Sequence, residues 1–142
     1  MDEIKLSIDP LAISEEFCET PATLAYWNAQ YAEAVGTHLR AKANVERVYA
    51  ETYRKVREEY ADRGLKATET MVNTSVETDS DYALAREQLI SAEVEKIKLR
   101  GRVEAITTKR DMLISLGAHI RAEMDDPIIR KQARDSREVV PY

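Results

Sequence analysis

Residues 80–124 read SDYALAREQLISAEVEKIKLRGRVEAITTKRDMLISLGAHIRAEM, and their spacing decides the fold. Positions 82, 85, 89, 92, 96, 99, 103, 106, 110, 113, 117, 120 and 124 alternate steps of three and four without a break. They carry Tyr82, Ala85, Leu89, Ala92, Lys96, Leu99, Val103, Ile106, Arg110, Leu113, Gly117, Ile120 and Met124, and ten of the thirteen are apolar. Steps of three and four keep one stripe of side chains on one face of an α-helix, so this is a heptad seam. A second apolar line lies beside it, in Ile90, Val94, Ile97, Ala105, Met112 and Leu116. Thr78-Asp79-Ser80-Asp81 supplies capping side chains at the start. Asp125-Asp126-Pro127 ends the helix, because the residue before a proline avoids helical backbone.

Upstream, a matching seam runs through Leu24, Trp27, Tyr31, Ala34, His38, Ala41, Val45 and Val48, then drifts to Tyr49, Tyr53, Val56 and Tyr60. Thr20-Pro21 reads as an N-cap followed by proline at the first helical position, where the missing N–H has no helical partner to lose. This predicts a long helix over Ala22–Arg63 with Gly64 as its C-cap, preceded by a short helix from Asp9-Pro10 to about Glu19. Thr68 is the expected cap of a two-turn helix around Met71, Val72 and Val76.

The expected fold is therefore all-α: two long antiparallel helices with coiled-coil-like seams, plus short helices. Each long helix of about forty residues would extend roughly 60 Å at ~1.5 Å per residue. Two adjacent apolar lines need partners on both sides. The chain is thus expected to assemble into a homo-oligomer larger than a dimer, with Leu89, Leu99, Val103, Ile106 and Leu113 at the interface. Residues 1–127 are read as the helical oligomerisation and binding domain. Residues 128–142 are read as a flexible C-terminal tail carrying Arg130, Lys131, Arg134 and Arg137 between Ile128-Ile129 and Val139-Val140.

Composition narrows the function. The four glycines are isolated, so no phosphate-cradling loop is formed; no C-x-x-C occurs, and neither histidine belongs to an H-E-x-x-H pair. His38 lies in the first seam and His119 beside the second, where core or interface roles are expected. No catalytic residue, metal site or cofactor is expected, and the reading is not an enzyme. The single cysteine, Cys18, permits no intrachain disulfide, which suits a cytoplasmic protein. The N-terminal MDEIKLSIDP lacks the apolar run of a signal peptide, and no 18-residue apolar stretch exists, so no membrane partner is expected.

The chain carries 21 basic and 26 acidic residues, a net charge of −5, but the charge is uneven. Residues 1–35 hold one basic and seven acidic groups, and residues 68–95 the same. Residues 38–67 hold eight basic and five acidic groups, and residues 96–110 six and one. Arg40, Arg47 and Arg54 repeat every seven residues and share a helix face. With Arg57 and with Lys96, Lys98, Arg100 and Arg102, they are candidate contacts to a phosphate backbone, a surface that repetition in an oligomer would enlarge. Tyr49, Tyr53 and Tyr60 interleave with Arg47, Arg54, Arg57 and Arg63, as base-stacking platforms do, although a tyrosine stripe at helical spacing also serves packing. The competing reading of the charges is a set of solvated helix pairs, such as Glu51 with Lys55 or Arg54 with Glu58.

Two stretches extend the case. Tyr53-Arg54-Lys55-Val56-Arg57-Glu58-Glu59-Tyr60-Ala61-Asp62-Arg63-Gly64 closes the first long helix, and Val76-Glu77-Thr78-Asp79-Ser80-Asp81-Tyr82 with Leu89 opens the second. In order and spacing over roughly residues 20–120, the chain resembles the UvsY-like phage recombination mediator protein family. The resemblance implies a small helical protein that forms rings and binds single-stranded DNA. It would help a RecA-like recombinase displace single-strand-binding protein, in the host cytoplasm if the chain is a phage protein. It also implies DNA contact by Arg54, Lys55, Arg57 and Arg63. The alternative reading is a coiled-coil scaffold or adaptor with no DNA role.

Overall fold

The computed structural model describes residues 4–138, and its elements run α1 (Ile13–Asp62), α2 (Glu69–Glu77), α3 (Ser80–Met124) and α4 (Pro127–Glu138). No strand occurs among the described residues. Contacts divide the chain into a middle unit, Trp27–Gly101, and a terminal unit built from Met1–Tyr26 and Arg102–Tyr142.

Local rules account for most of the element ends. Gly64 adopts a φ of 69°, where a side chain would be strained, and lets the chain leave α1. Leu65 N–H then reaches the Tyr60 carbonyl at 3.0 Å and Gly64 N–H the Ala61 carbonyl at 3.0 Å, satisfying carbonyls that the helix end leaves open. Thr68 caps α2 by accepting from Met71 N at 3.3 Å. Asp79 Oδ2 accepts from Asp81 N at 2.9 Å and Tyr82 N at 3.1 Å, which starts α3. Asp126 Oδ1 accepts from Ile128 N at 2.9 Å and places Pro127 at the first position of α4.

Two expectations about element ends are corrected. The break at Thr20-Pro21 is absent: α1 runs through Pro21 as one helix of 50 residues. An internal proline removes the hydrogen bond to the carbonyl four residues back. The turn before it is held from outside, because Glu16 and Thr20 are both buried. Asp9, expected to open a helix, instead closes a turn, accepting from Leu11 N at 2.9 Å, and α1 starts at Ile13. Within the segment expected as a flexible tail, the residues as far as Glu138 belong to α4, with Arg130 paired to Asp125. The side chains of Ile129 and Arg137, and Val139-Val140, lie outside the described residues.

In the middle unit α1 and α3 run antiparallel, since His38 meets Lys96 while the later Tyr49 meets the earlier Tyr82. The α2 helix contributes Val72 and Val76, both fully buried, which join Val56 in a core flanked by Tyr49, Tyr53, Tyr60, Ala67 and Tyr82. Burying each valine stabilises the fold by about 1.5–3 kcal/mol. Farther along, Ala34, Ala85, Ala92 and Leu99 are buried. Small alanines allow close helix approach.

The terminal unit has a different interior. Ile106 and Leu113 are each 1% exposed, and Glu16 and Lys109 are buried as well. Gly117 lies against Phe17: a Cβ there would stand 3.1 Å from the ring.

The seam of α3 is thus buried within one chain. Leu99, Ile106 and Leu113 are buried, and Leu89 and Val103 half-buried. Leu99, Ile106 and Leu113 are therefore covered by their own chain, whereas Leu89 and Val103 keep accessible surface. The second line remains open: Ile90, Val94, Ile97 and Met112 are all exposed. One shift occurs along the seam. Arg110, on the expected line, is exposed, while the adjacent Lys109 is buried. The covered face steps through Lys96, Leu99, Val103, Ile106, Lys109 and Leu113, with two successive steps of three from Val103 to Lys109. Such a step rotates a seam around its helix.

Candidate nucleic-acid interface

Many of the basic candidates are engaged with neighbouring side chains. Lys96 is half-buried in the seam, with Nζ 3.3 Å from His38 Nδ1. An ammonium can only donate, so Nδ1 accepts and the ring proton sits on Nε2. Lys109, in the same basic stretch, is buried against Glu16, and Arg110 pairs with Asp111 at 2.9 Å. Lys98 and Arg100 are exposed and Arg102 half-buried, and both arginines are engaged with neighbours.

On α1, Arg40 turns back to Thr37 Oγ1 at 3.3 Å. Arg47 bonds Glu51 at 2.9 Å and Asn44 Oδ1 at 2.7 Å. Arg54, Lys55 and Arg63 are exposed. Pairs at this spacing between exposed groups are worth about 0.3–0.5 kcal/mol, so they restrain these side chains only weakly.

One group does converge. An open groove in the middle unit is lined by Tyr49, Ala50, Tyr53, Arg54, Arg57, Glu58, Ala61 and Glu69. Residues 49, 50, 53, 54, 57, 58 and 61 recur at steps of three and four on one side of α1, and α2 supplies Glu69. The Tyr49 and Tyr53 rings stack with centroids 6.2 Å apart and planes at 28°. Tyr82 meets Tyr49 edge-on at 5.8 Å. Tyr49 is fixed at its hydroxyl, which donates to Asn73 Oδ1 at 2.8 Å. The Arg57 guanidinium lies 5.3 Å from the Tyr53 ring centroid, within the range where a cation is attracted to an aromatic face.

Glu69 ties the groove together. Tyr53 donates its hydroxyl to both carboxylate oxygens at 2.9 Å, and Arg57 Nη2 donates to Oε2 at 3.2 Å. That bond to a carboxylate holds the Tyr53 hydroxyl above the usual tyrosine range, since losing its proton would leave two anions together. Sequence spacing found the tyrosines and arginines but missed Glu69 and Asn73. Both come from α2, and no local pattern tells which α2 side chains will face α1.

The other polar cluster lies in the terminal unit. Glu16 contacts Lys109, and Lys109 Nζ also donates to the Lys5 carbonyl at 2.9 Å. The hydrogen bond from Lys109 holds the Glu16 carboxyl below the usual carboxylate range. Lys5 Nζ stands 3.4 Å from Glu16 Oε1, which accepts no hydrogen bond from the described residues. His119, expected in a core or interface role, is exposed beside Glu123 at 3.1 Å. Cys18 is an exposed free thiol. Among the described residues, no helix is long and apolar enough to cross a membrane.

No protein-family model matches the chain, and neither a curated protein nor a solved structure matches it.

Proposed function

We propose that the protein is a non-enzymatic accessory protein of DNA recombination that holds single-stranded DNA on a homo-oligomer. In this reading it favours loading of a RecA-like recombinase over a competing single-strand-binding protein. The observation that carries the reading is the α1–α2 groove, where Tyr49 and Tyr53 lie beside Arg54 and Arg57. Aromatic faces accept any base by stacking, and cations accept the backbone, so such a groove selects single strands without reading sequence. Exposed Lys55, Arg63 and Lys98 add positive charge. The net charge of −5 makes one copy a weak binder, and repetition in an assembly is what makes the contact useful. Copies would meet through the exposed line Ile90, Val94, Ile97 of α3.

The test is binding of a fluorescent oligo-dT and a duplex of equal length at two salt concentrations. Single strands should bind more tightly, and affinity should fall as salt rises, because phosphate contacts release counterions. Replacing Arg54 and Arg57 together with Ala should weaken binding and flatten its salt slope while leaving subunit number unchanged. Absence of single-strand binding at low salt sinks this reading. It would favour the adaptor reading, which draws on the pairing of Arg47, Arg57 and Arg110 with neighbouring carboxylates and on the same exposed apolar line.

A further inference from the structure

Two of the groove's donors, the Tyr53 hydroxyl and Arg57 Nη2, are already bound to a carboxylate. Glu69 presents two oxygens to the Tyr53 hydroxyl, both at 2.9 Å, and one of them to Arg57 at 3.2 Å. A phosphodiester likewise offers two anionic oxygens, and arginine and hydroxyl donors recognise both groups with the same geometry. The carboxylate is not locked in place: Glu69 is 61% and Arg57 53% exposed, so the pair is open to solvent and to a competitor. Its stabilising effect is correspondingly small. The α2 helix does not depend on this contact, because Val72 and Val76 are fully buried and Tyr49 bonds Asn73.

We infer that Glu69 is a built-in competitor for the backbone phosphate: a single strand binds by displacing its carboxylate from Arg57 and the Tyr53 hydroxyl. This rests on the single-strand reading above and adds the position of one phosphate, together with a threshold against weak or isolated anions. When the carboxylate swings away, Arg57 keeps its place over the Tyr53 ring, 5.3 Å from the centroid, so the incoming phosphate meets a cation already oriented. Glu58 also lines the groove, yet no bond joins it to Tyr53 or Arg57. It therefore separates displacement from a general loss of negative charge.

The experiment measures oligo-dT affinity by fluorescence anisotropy at low salt for the full chain and for Glu69→Gln, Glu58→Gln, Arg57→Ala and the Arg57→Ala/Glu69→Gln pair. Circular dichroism checks that helix content is retained. Glu69→Gln keeps the side-chain shape and should tighten binding by about two- to fivefold, the scale of an exposed ion pair. Glu58→Gln should give a smaller gain, and the gain from Glu69→Gln should vanish once Arg57 is alanine. Equal gains for Glu69→Gln and Glu58→Gln overturn the competitor role, as does a gain that persists without Arg57. If the unaltered chain binds and Glu69→Gln binds no better, displacement is refuted while the single-strand reading stands. If neither the unaltered chain nor Glu69→Gln binds, both fail together. Binding by Glu69→Gln alone supports the competitor in its strongest form.

Discussion

The two units bring α1 and α3 into contact with different interiors. The middle unit is closed by valines, alanines and tyrosines, and its seam includes a polar contact, His38 with Lys96, both half-buried. The terminal unit buries a charged pair, Glu16 with Lys109, as well as Ile106 and Leu113. A neutral acceptor facing one ammonium can lose its partner at modest cost. A buried carboxylate cannot, because an unpaired charge away from water is strongly unfavourable. The middle unit should therefore tolerate polar changes in its seam better than the terminal unit tolerates loss of its pair. The tyrosine groove also lies on the middle unit, whose core does not depend on charge.

The largest effect should come from charging the apolar seam itself. Leu99→Glu places a carboxylate at a buried position and should cost about 3–5 kcal/mol, seen as a lowered denaturation midpoint. Ile97→Glu, two residues away and 58% exposed, should change stability by less than about 0.5 kcal/mol. It should instead reduce subunit number in light scattering if copies meet on the second apolar line. Dissociation without unfolding by Leu99→Glu would mean that its seam lies between chains after all.

Loss of Lys109 comes next. Lys109→Ala leaves Glu16 with the longer contact to Lys5, at 3.4 Å, and should destabilise the chain more than Glu16→Gln, which leaves no buried anion. The pH dependence follows from the lowered Glu16 carboxyl. Its stabilising effect is fully present above the ordinary carboxylate value of 4.5 and is lost as pH falls through the lower folded value. Thermal midpoints measured from pH 7 downward should show an acid-side loss in the natural chain that is smaller in Glu16→Gln. Parallel curves would remove Glu16 from the account.

A third change probes the milder contact. Lys96→Leu completes the apolar seam of the middle unit. Leucine burial contributes about 1.5–3 kcal/mol, against roughly 1 kcal/mol for the lost hydrogen bond, so the midpoint should rise by the equivalent of about 1 kcal/mol. A fall would show that His38 needs its partner as strictly as Glu16 does.

Effects of similar or smaller size belong to the glycines of α3. A Cβ at Gly101 meets nothing within 4 Å, so Gly101→Ala should stabilise by about 1 kcal/mol through helix propensity alone. At Gly117 a Cβ would stand 3.1 Å and 3.2 Å from two Phe17 ring atoms, so the same change should gain less. Equal gains would mean that Phe17, which is 40% exposed, yields freely.

The sequence by itself determined the helices, the seam and most of the stops. Gly64, Thr68, Asp79 and the Asp126-Pro127 pair act through hydrogen bonds within a few residues, so their effect can be read from neighbours in the chain. The alternation along α3 likewise states which face is buried, through Leu99, Ile106 and Leu113, and departs from it at Arg110. Tertiary structure alone decided the rest. Pro21 reads locally as a first helical position, yet its helix begins eight residues earlier, at Ile13, through a turn whose Glu16 is paired with Lys109 far along the chain. That α3 buries Lys109 and exposes Arg110 follows from where a carboxylate waits, which heptad spacing cannot express. The groove divides in the same way: Tyr49, Tyr53, Arg54 and Arg57 were legible as one face of α1, but the carboxylate that binds Tyr53 and Arg57 was not. Helix periodicity fixes directions within one element, whereas the partner of a side chain depends on how a second element is packed against it, and α2 is oriented by Val72 and Val76 rather than by Glu69.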